Sequence, residues 1–474
     1  MKHRSKYFWR NFISIFLGGV GSQAMYVLSS NYATIFFTDM LGISAGAAGV
    51  IFLLSRIWDG INDPMCGIWI EKSNPRFGKI QTFMAIGGVL TGFGLIMLFT
   101  VPTLSVTGRT IWGAVFYNVV GMAFTAVTVA TMLQMARGTD EATERVPLTM
   151  SYTVSCSIAG IVMAVIITKA MAQYGATSPA NGYKMAAVFS ASIGIITLIM
   201  SAVLFRDREA ELESEATVKE PAKTKIRDMI KGVILVPSFL ALVAGCCIAN
   251  LGMGMVMTNM MYYLTYVLEN PALMAVLLPV SYIGTFSGSI VSPLFTRFGK
   301  KRMLVVSMLL IAVAVLPIRF MEGNVVVLTF SYGLLAGASS IMYTFLQPAL
   351  VDCAEYTEFK TGIRCQALAL TGFTFVSKMT AGFASAILGF ALQYAKYDGT
   401  AAVQVASAVN MIRNMMFWPA IIAVALGCVI VIIFYKLDDK EMDRIRETIR
   451  SRMNQSDADV VTEVEAPIEA TAEA

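Results

Sequence analysis

The sequence predicts an all-α membrane protein whose twelve transmembrane helices form two six-helix halves. Three observations lead there. Of 474 residues, 56% are hydrophobic and only 14% are charged. Several apolar runs exceed the roughly 18 residues that mark a spanning helix. Lys and Arg gather in alternate connections between those runs, as they do in polytopic chains.

Apolar runs bounded by charged residues, Pro or Gly place the first six helices at residues 10–38, 42–70, 81–102, 110–136, 146–172 and 184–205. Six more are expected at 238–268, 272–296, 302–321, 324–351, 366–394 and 415–436. The chain thus divides into a first half at 1–205, a connector at 206–237, a second half at 238–436 and a tail at 437–474. Met1 to Arg10 is basic and leads into a long apolar run with no clear small-residue cleavage site, so the first helix is expected to remain.

Lys2, Arg4, Lys6, Arg76, Lys79, Arg137, Arg145, Lys300, Lys301, Arg302, Lys360 and the 206–231 connector fall on one side of this pattern. The other side carries chiefly Asp39, Arg109, Lys184, Glu269, Glu322 and Lys396. The positive-inside rule then places both termini in the cytoplasm and the chain, as a multi-pass protein, in the cell (inner) membrane.

The tetrapeptide Arg-Phe-Gly-Lys occurs at Arg76 to Lys79 and again at Arg297 to Lys300, each time after the second helix of a half. Equivalent placement in both halves points to a duplicated six-helix unit. Each copy serves either as a positive-inside anchor or as part of a cytoplasmic latch. In the connector, Ile226, Met229, Ile230 and Val233 repeat at helical spacing, and in the tail Met442, Ile445, Ile449 and Met453 do the same among basic residues. Both stretches are expected to lie on the membrane surface. Beyond Gln455 the chain turns acidic and too polar to bury a core.

Composition also excludes functions. Lys and Arg number 36 against 31 Asp and Glu and form no basic stripe, so nucleic acid is not an expected partner. The seven cysteines sit mostly in apolar segments without metal-ligand spacing, which fits small core residues rather than a disulfide framework. The single histidine, His3, precedes the first helix, so no intramembrane histidine relay is available. Without membrane histidines, a Gly-x-Ser-x-Gly or a His-Glu-x-x-His sequence, the chain is not expected to be an enzyme.

The second helix carries the chemistry. Arg56, Asp59, Asn62 and Asp63 lie inside one apolar segment, although a carboxylate at mid-membrane costs at least about 2.5 kcal/mol. Asp59 and Asp63 are one turn apart and share a face, with Arg56 a turn earlier. A cation, whether proton, sodium or guanidinium, must neutralise them. Binding and losing such a cation is how a transporter couples to a gradient. A packing-only ion pair between Arg56 and Asp59 would leave Asp63 unexplained. A non-transporting sensor would have no reason to keep either carboxylate.

Phe37-Thr38-Asp39, Arg56-x-x-Asp59-x-x-Asn62-Asp63-Pro64, Arg76-Phe77-Gly78-Lys79 and Asp352-x-x-x-Tyr356-x-Glu358-Phe359-Lys360-x-Gly362-x-Arg364 together resemble the glycoside–pentoside–hexuronide:cation symporters, the melibiose permease-like branch of the major facilitator superfamily. The likeness runs from about residue 10 to 440. It implies the major facilitator fold, and it implies that Asp59, Asn62, Asp63 and Thr125 hold a coupling Na+ or H+. These four keep the hard oxygens sodium prefers, whereas a proton needs fewer. No other cofactor is expected.

At the substrate site the chain departs from that pattern. The positions of the family's sugar-binding first-helix Asp, fourth-helix Asp and stacking Trp are matched by Gln23, Thr128 and Met132. The fifth-helix Arg has no counterpart, and the eleventh-helix Lys is Lys378. Gln23 and Thr128 still hydrogen-bond hydroxyls, and Tyr26, Tyr343 and Phe345 supply aromatic faces, so a sugar or glycoside is expected but not galactoside recognition by two carboxylates. Lys378 fits a substrate carboxylate or hydroxyl, or an aspartate of the second helix. Met253, Met255, Met257, Met260 and Met261 are core filler or the wall of a site for an amphipathic, lipid-like solute. The expectation is a monomeric, alternating-access symporter in which Arg56, Arg76, Lys79, Asp352, Glu358, Lys360 and Arg364 form the inner gate's charge network.

Overall fold

In the computed structural model the described residues are 7–73, 75–139, 142–176, 178–207, 237–361, 366–401, 403–437, 442 and 444–445. They form twelve long helices in chain order: α1 (Phe8–Ile35, continued by one π-helical turn, Phe36–Met40), α2 (Ala45–Lys72), α3 (Lys79–Leu98), α4 (Val106–Arg137), α5 (Ala142–Gly175) and α6 (Pro179–Leu204) make the first half. The second half is α7 (Pro237–Tyr266), α8 (Met274–Val291, followed by a 3-10 segment, Ser292–Phe298), α9 (Lys300–Phe320), α10 (Val325–Thr361), α11 (Gln366–Tyr394) and α12 (Ala406–Phe434).

Helix ends differ from the sequence expectation where polar residues continue a helix past its apolar run. Helix α4 begins at Val106 rather than 110 because Ser105 caps it, accepting from the Gly108 amide at 3.3 Å. Helix α12 begins at Ala406 rather than 415. Its first two turns contain Asn410 and Arg413, and Arg413 donates to Glu322 at 2.7 Å across the end of α9. Helix α10 runs ten residues past 351, into Asp352 and Tyr356, beyond the reach of an apolar-run criterion. Eleven of the helices are long and apolar enough to cross a membrane. The exception is α2, the helix whose apolar character Arg56, Asp59, Asn62 and Asp63 dilute.

The halves repeat one packing plan. Helix α1 packs on α6 and α3 on α4 and α6, while α7 packs on α12 and α9 on α10 and α12. Gly78 and Gly299, from the two Arg-Phe-Gly-Lys copies, cap α3 and α9 with φ of 90° and 86°, a left-handed turn that a side chain would strain. The duplication suggested by the tetrapeptide is therefore present in the backbone. In a bilayer, lipid is as apolar as Leu, so this packing is held by close contact and interhelical hydrogen bonds rather than by hydrophobic burial.

Helices α1 and α7, α2 and α11, and α5 and α8 join the halves. At the end opposite the termini, Tyr266 and Tyr397 donate to Asp39 at 2.6 and 2.5 Å, Thr38 donates to the same carboxylate at 2.6 Å, and Tyr262 donates to the Thr34 carbonyl at 3.1 Å. The motif residue Asp39 is thus held by three hydroxyls, two of them from the second half. The π-helical turn that ends α1 aims it there. The halves are closed on that side. Met442 and Ile445, the first residues of the expected tail stripe, are buried; Ile449, Met453, the connector stripe and the acidic tail lie outside the described residues.

Candidate functional site

Helices α2 and α4 run side by side in the same direction, so residues a turn apart on one face the same steps on the other. Arg56 donates to the Tyr117 hydroxyl at 3.2 Å and to Asp59 at 3.3 Å. Asp59, 5% exposed, lies against Gly121. Thr125 donates to Asp63 Oδ1 at 3.0 Å, and from α11 the Lys378 ammonium donates to Asp63 Oδ2. Of the four residues expected to hold a coupling ion, Asp63 and Thr125 are thereby joined, Asp59 meets α4 one turn away, and Asn62 is buried between the two aspartates on α2.

Two atoms are left over. Asp59 Oδ1 and the Asn62 side-chain amide nitrogen are buried with no hydrogen-bond partner. An acceptor stranded in this way is costly unless something positive meets it. Turning the Asn62 amide over presents its oxygen instead. The donor set is two carboxylates, an amide and a hydroxyl, all hard oxygens suited to a small cation or a proton. Among the described residues no group of three His, Cys, Asp or Glu forms a transition-metal site.

The charges balance pairwise, Arg56 against Asp59 and Lys378 against Asp63. The sequence left Lys378 open between the substrate and a second-helix aspartate; in this conformation it pairs with Asp63. Arg56, expected in the gate network, is held by the Tyr117 phenol of α4 and the Asp59 carboxylate of α2. Lys378 and Asp63 are each about 30% exposed on their side chains, so the pair is within reach of water.

The expected substrate residues are less unified. The Gln23 amide donates to the hydroxyl of Tyr282 on α8 at 2.7 Å, and the Tyr282 ring fills the space above Gly160 on α5. Tyr26 stacks on Phe124 with centroids 5.8 Å apart. Thr128 donates back to the Phe124 carbonyl, and Met132, one turn further on α4, is 60% exposed. Tyr343 donates to Asn250, and Phe345 is buried in the second half. Of the five α7 methionines, Met255, Met260 and Met261 are buried, while Met253 and Met257 accept from Ser339 and Tyr332. They pack within the second half.

Tyr117, Gly121 and Tyr282 were missed in the sequence. Tyr117, Gly121, Thr125, Thr128 and Met132 recur every three or four residues along α4, a stripe that would have exposed the first two. Tyr282 carries no local signal, because only the packing of α8 against α1 and α5 brings it to Gln23.

The expected gate residues are described in part. Lys300 pairs with the buried carboxylate of Asp352 inside the second half, and Arg137 pairs with Asp207 inside the first at 3.2 Å. Lys360 lies 4.6 Å above the Tyr356 ring, Arg76 is exposed and Lys79 is half-buried. The side chains of Glu358 and Arg364 lie outside the described residues.

Gly121 gives a direct test of the ion site, because a Cβ there would stand 2.7 Å from Asp59 Oδ1 and force that carboxylate to turn. Gly121→Ala is expected to weaken cation dependence about tenfold, equivalent to about 1.4 kcal/mol. Titrating sodium and pH against transport measures it, and an unchanged half-saturation would separate Asp59 from the ion.

Known proteins resemble this chain along nearly its whole length. The chain is 25% identical over 447 residues to the isoprimeverose transporter of Lactiplantibacillus pentosus, covering 93% of this chain and 91% of that protein. It is 24% identical to the inner membrane symporter YicJ of Escherichia coli, covering 91% and 93%. Among solved structures, a bacterial homologue of the human lysosomal transporter Spinster superposes with a TM-score of 0.69 at 13% identity, over 91% of this chain and 98% of that one. That likeness supports the fold alone. The family model described as MFS/sugar transport protein matches residues 14–439, so the chain belongs to that family, in the glycoside–pentoside–hexuronide:cation symporter group, as a transporter and not an enzyme.

Proposed function

We propose that the protein is a cation-coupled symporter of a sugar or glycoside that works by alternating access, with both termini in the cytoplasm. The observation that carries the reading is the single carboxylate of Asp63, shared between the Thr125 hydroxyl and the Lys378 ammonium, beside a buried Asp59 oxygen without a partner. An entering cation takes the place of the ammonium on Asp63 and meets the free oxygen of Asp59. Lys378 is then released toward the solute pocket, so ion binding changes what the solute encounters. Sodium is favoured over a proton by the retained Asn62 and Thr125.

For the solute, Gln23, Tyr282 and Thr128 offer hydrogen-bonding groups without a carboxylate, and Tyr26 offers a ring face. This suits a neutral polyhydroxyl compound, and a relative that is named for isoprimeverose transport supports the same class. Thermal melting of the purified protein tests both parts. At constant ionic strength, sodium is expected to raise the melting temperature relative to potassium, and a sugar or glycoside to raise it further when sodium is present. A ligand at 100 times its Kd stabilises by about 2.7 kcal/mol. Protection that tracks pH but not sodium would assign the coupling to protons. Protection by amphipathic solutes alone would remove the sugar.

A further inference from the structure

A groove of about 440 Å3 opens between α3 and α6 on the flank of the first half. This lies within the roughly 300–1,000 Å3 of sites that hold drug-sized ligands. Its walls are apolar: Ile86 on α3 and Ile199 and Val203 on α6, with Phe77, 86% exposed, at its mouth. Helices α3 and α6 pack on each other and on α1, α2, α4 and α5, whereas the halves meet through α1, α2 and α5. The groove therefore faces the bilayer and not the transport path, and what fills it comes from the membrane.

Arg206 closes the end of the groove on the side of the termini. Its backbone is fixed from both sides by the fully buried Asn11, which accepts from the Arg206 amide and donates to its carbonyl, both at 2.9 Å. Its side chain is exposed and has no hydrogen bond or ion pair among the described residues. The neighbouring carboxylate, Asp207, is already engaged by Arg137. Arg10 adds a second guanidinium at the same helix end, donating to the carbonyls of Leu204 and Val203 at 2.7 and 3.4 Å. Among the described residues, neither guanidinium at this mouth is paired with a carboxylate.

We propose that the groove binds an anionic phospholipid, with an acyl chain along Ile86, Ile199 and Val203 and the headgroup phosphate on Arg206. A planar guanidinium matches a phosphate with two parallel hydrogen bonds. Basic pockets between membrane helices on the positive side recognise such headgroups. The apolar walls select a lipid over free phosphate.

Native mass spectrometry of the detergent-purified full-length protein tests this with phosphatidylglycerol and phosphatidylethanolamine of identical chains. One phosphatidylglycerol is expected to be retained in preference to phosphatidylethanolamine. Loss of a charge-assisted contact in Arg206→Gln should lower its retention about tenfold. Val203→Trp should lower the retention of both lipids by filling the groove. Both positions are exposed, so the lipid-free melting temperature should stay at the wild-type value, which verifies folding. Equal retention of the two lipids by the wild type, retention unchanged in Arg206→Gln and Val203→Trp, or displacement of the lipid by inorganic phosphate would overturn the proposal.

Discussion

Asp63→Asn is expected to abolish gradient-driven accumulation, leaving the internal solute concentration no higher than the external one. The Asp63 carboxylate is shared by the Thr125 hydroxyl and the Lys378 ammonium. An amide can still accept from Thr125, but it carries no charge for a cation to neutralise, and it leaves the ammonium unpaired. For a part-exposed pair that loss is worth about 1–3 kcal/mol, enough to destabilise the protein without unfolding it. A second variant separates the two effects. Asp63→Asn combined with Lys378→Met removes both charges, and should recover thermal stability while accumulation stays absent, because the two residues interact and their effects do not add. Uptake into vesicles under an imposed sodium or proton gradient, compared with downhill exchange, reads the difference. Undiminished accumulation in the single variant would remove Asp63 from the coupling site.

The same residues show how far a sequence can be read. Asp59, Asn62 and Asp63 stood out because one helix placed them a turn apart in an apolar run, and local periodicity is a property of the sequence itself. Which cation meets Asp63 stayed open between an external ion and Lys378, because the choice depends on α11 approaching α2, and a contact between residues 315 positions apart leaves no periodic trace. The hydroxyls around Asp39 illustrate the same limit. Phe37-Thr38-Asp39 was legible as a motif, while Tyr266 and Tyr397 reach it only after the second half has docked. Helix ends failed for a different reason: apolar runs mark the part of a helix inside lipid, and the polar turns of α10 and α12 continue beyond it.

Gly389→Val is expected to lower transport between about fivefold and 150-fold while leaving each half folded. Near the closed end, α2 and α11 cross with almost no side chain between them. A Cβ on Gly389 would stand 2.4 Å from the Ala45 carbonyl oxygen and 3.1 Å from the Gly49 Cα, and one on Gly49 would stand 3.0 Å from the Ala386 Cα. Those neighbours are backbone, so no rotamer change makes room, and the helices must separate. Overpacking of this kind costs about 1–3 kcal/mol, and a cost borne only by the closed arrangement shifts a two-state equilibrium by about 5–150-fold toward the open one. The hydroxyls on Asp39 close the same side and would be pulled from that carboxylate as α7 and the α11–α12 connection retreat with the second half. The population shift is measurable apart from transport: a cysteine placed at Ala45, now 4% exposed, should react faster with a membrane-impermeant thiol reagent when Gly389 is also valine. Slow labelling with normal transport would mean that this crossing tolerates separation and that the side opposite the termini is closed by the Asp39 cluster alone.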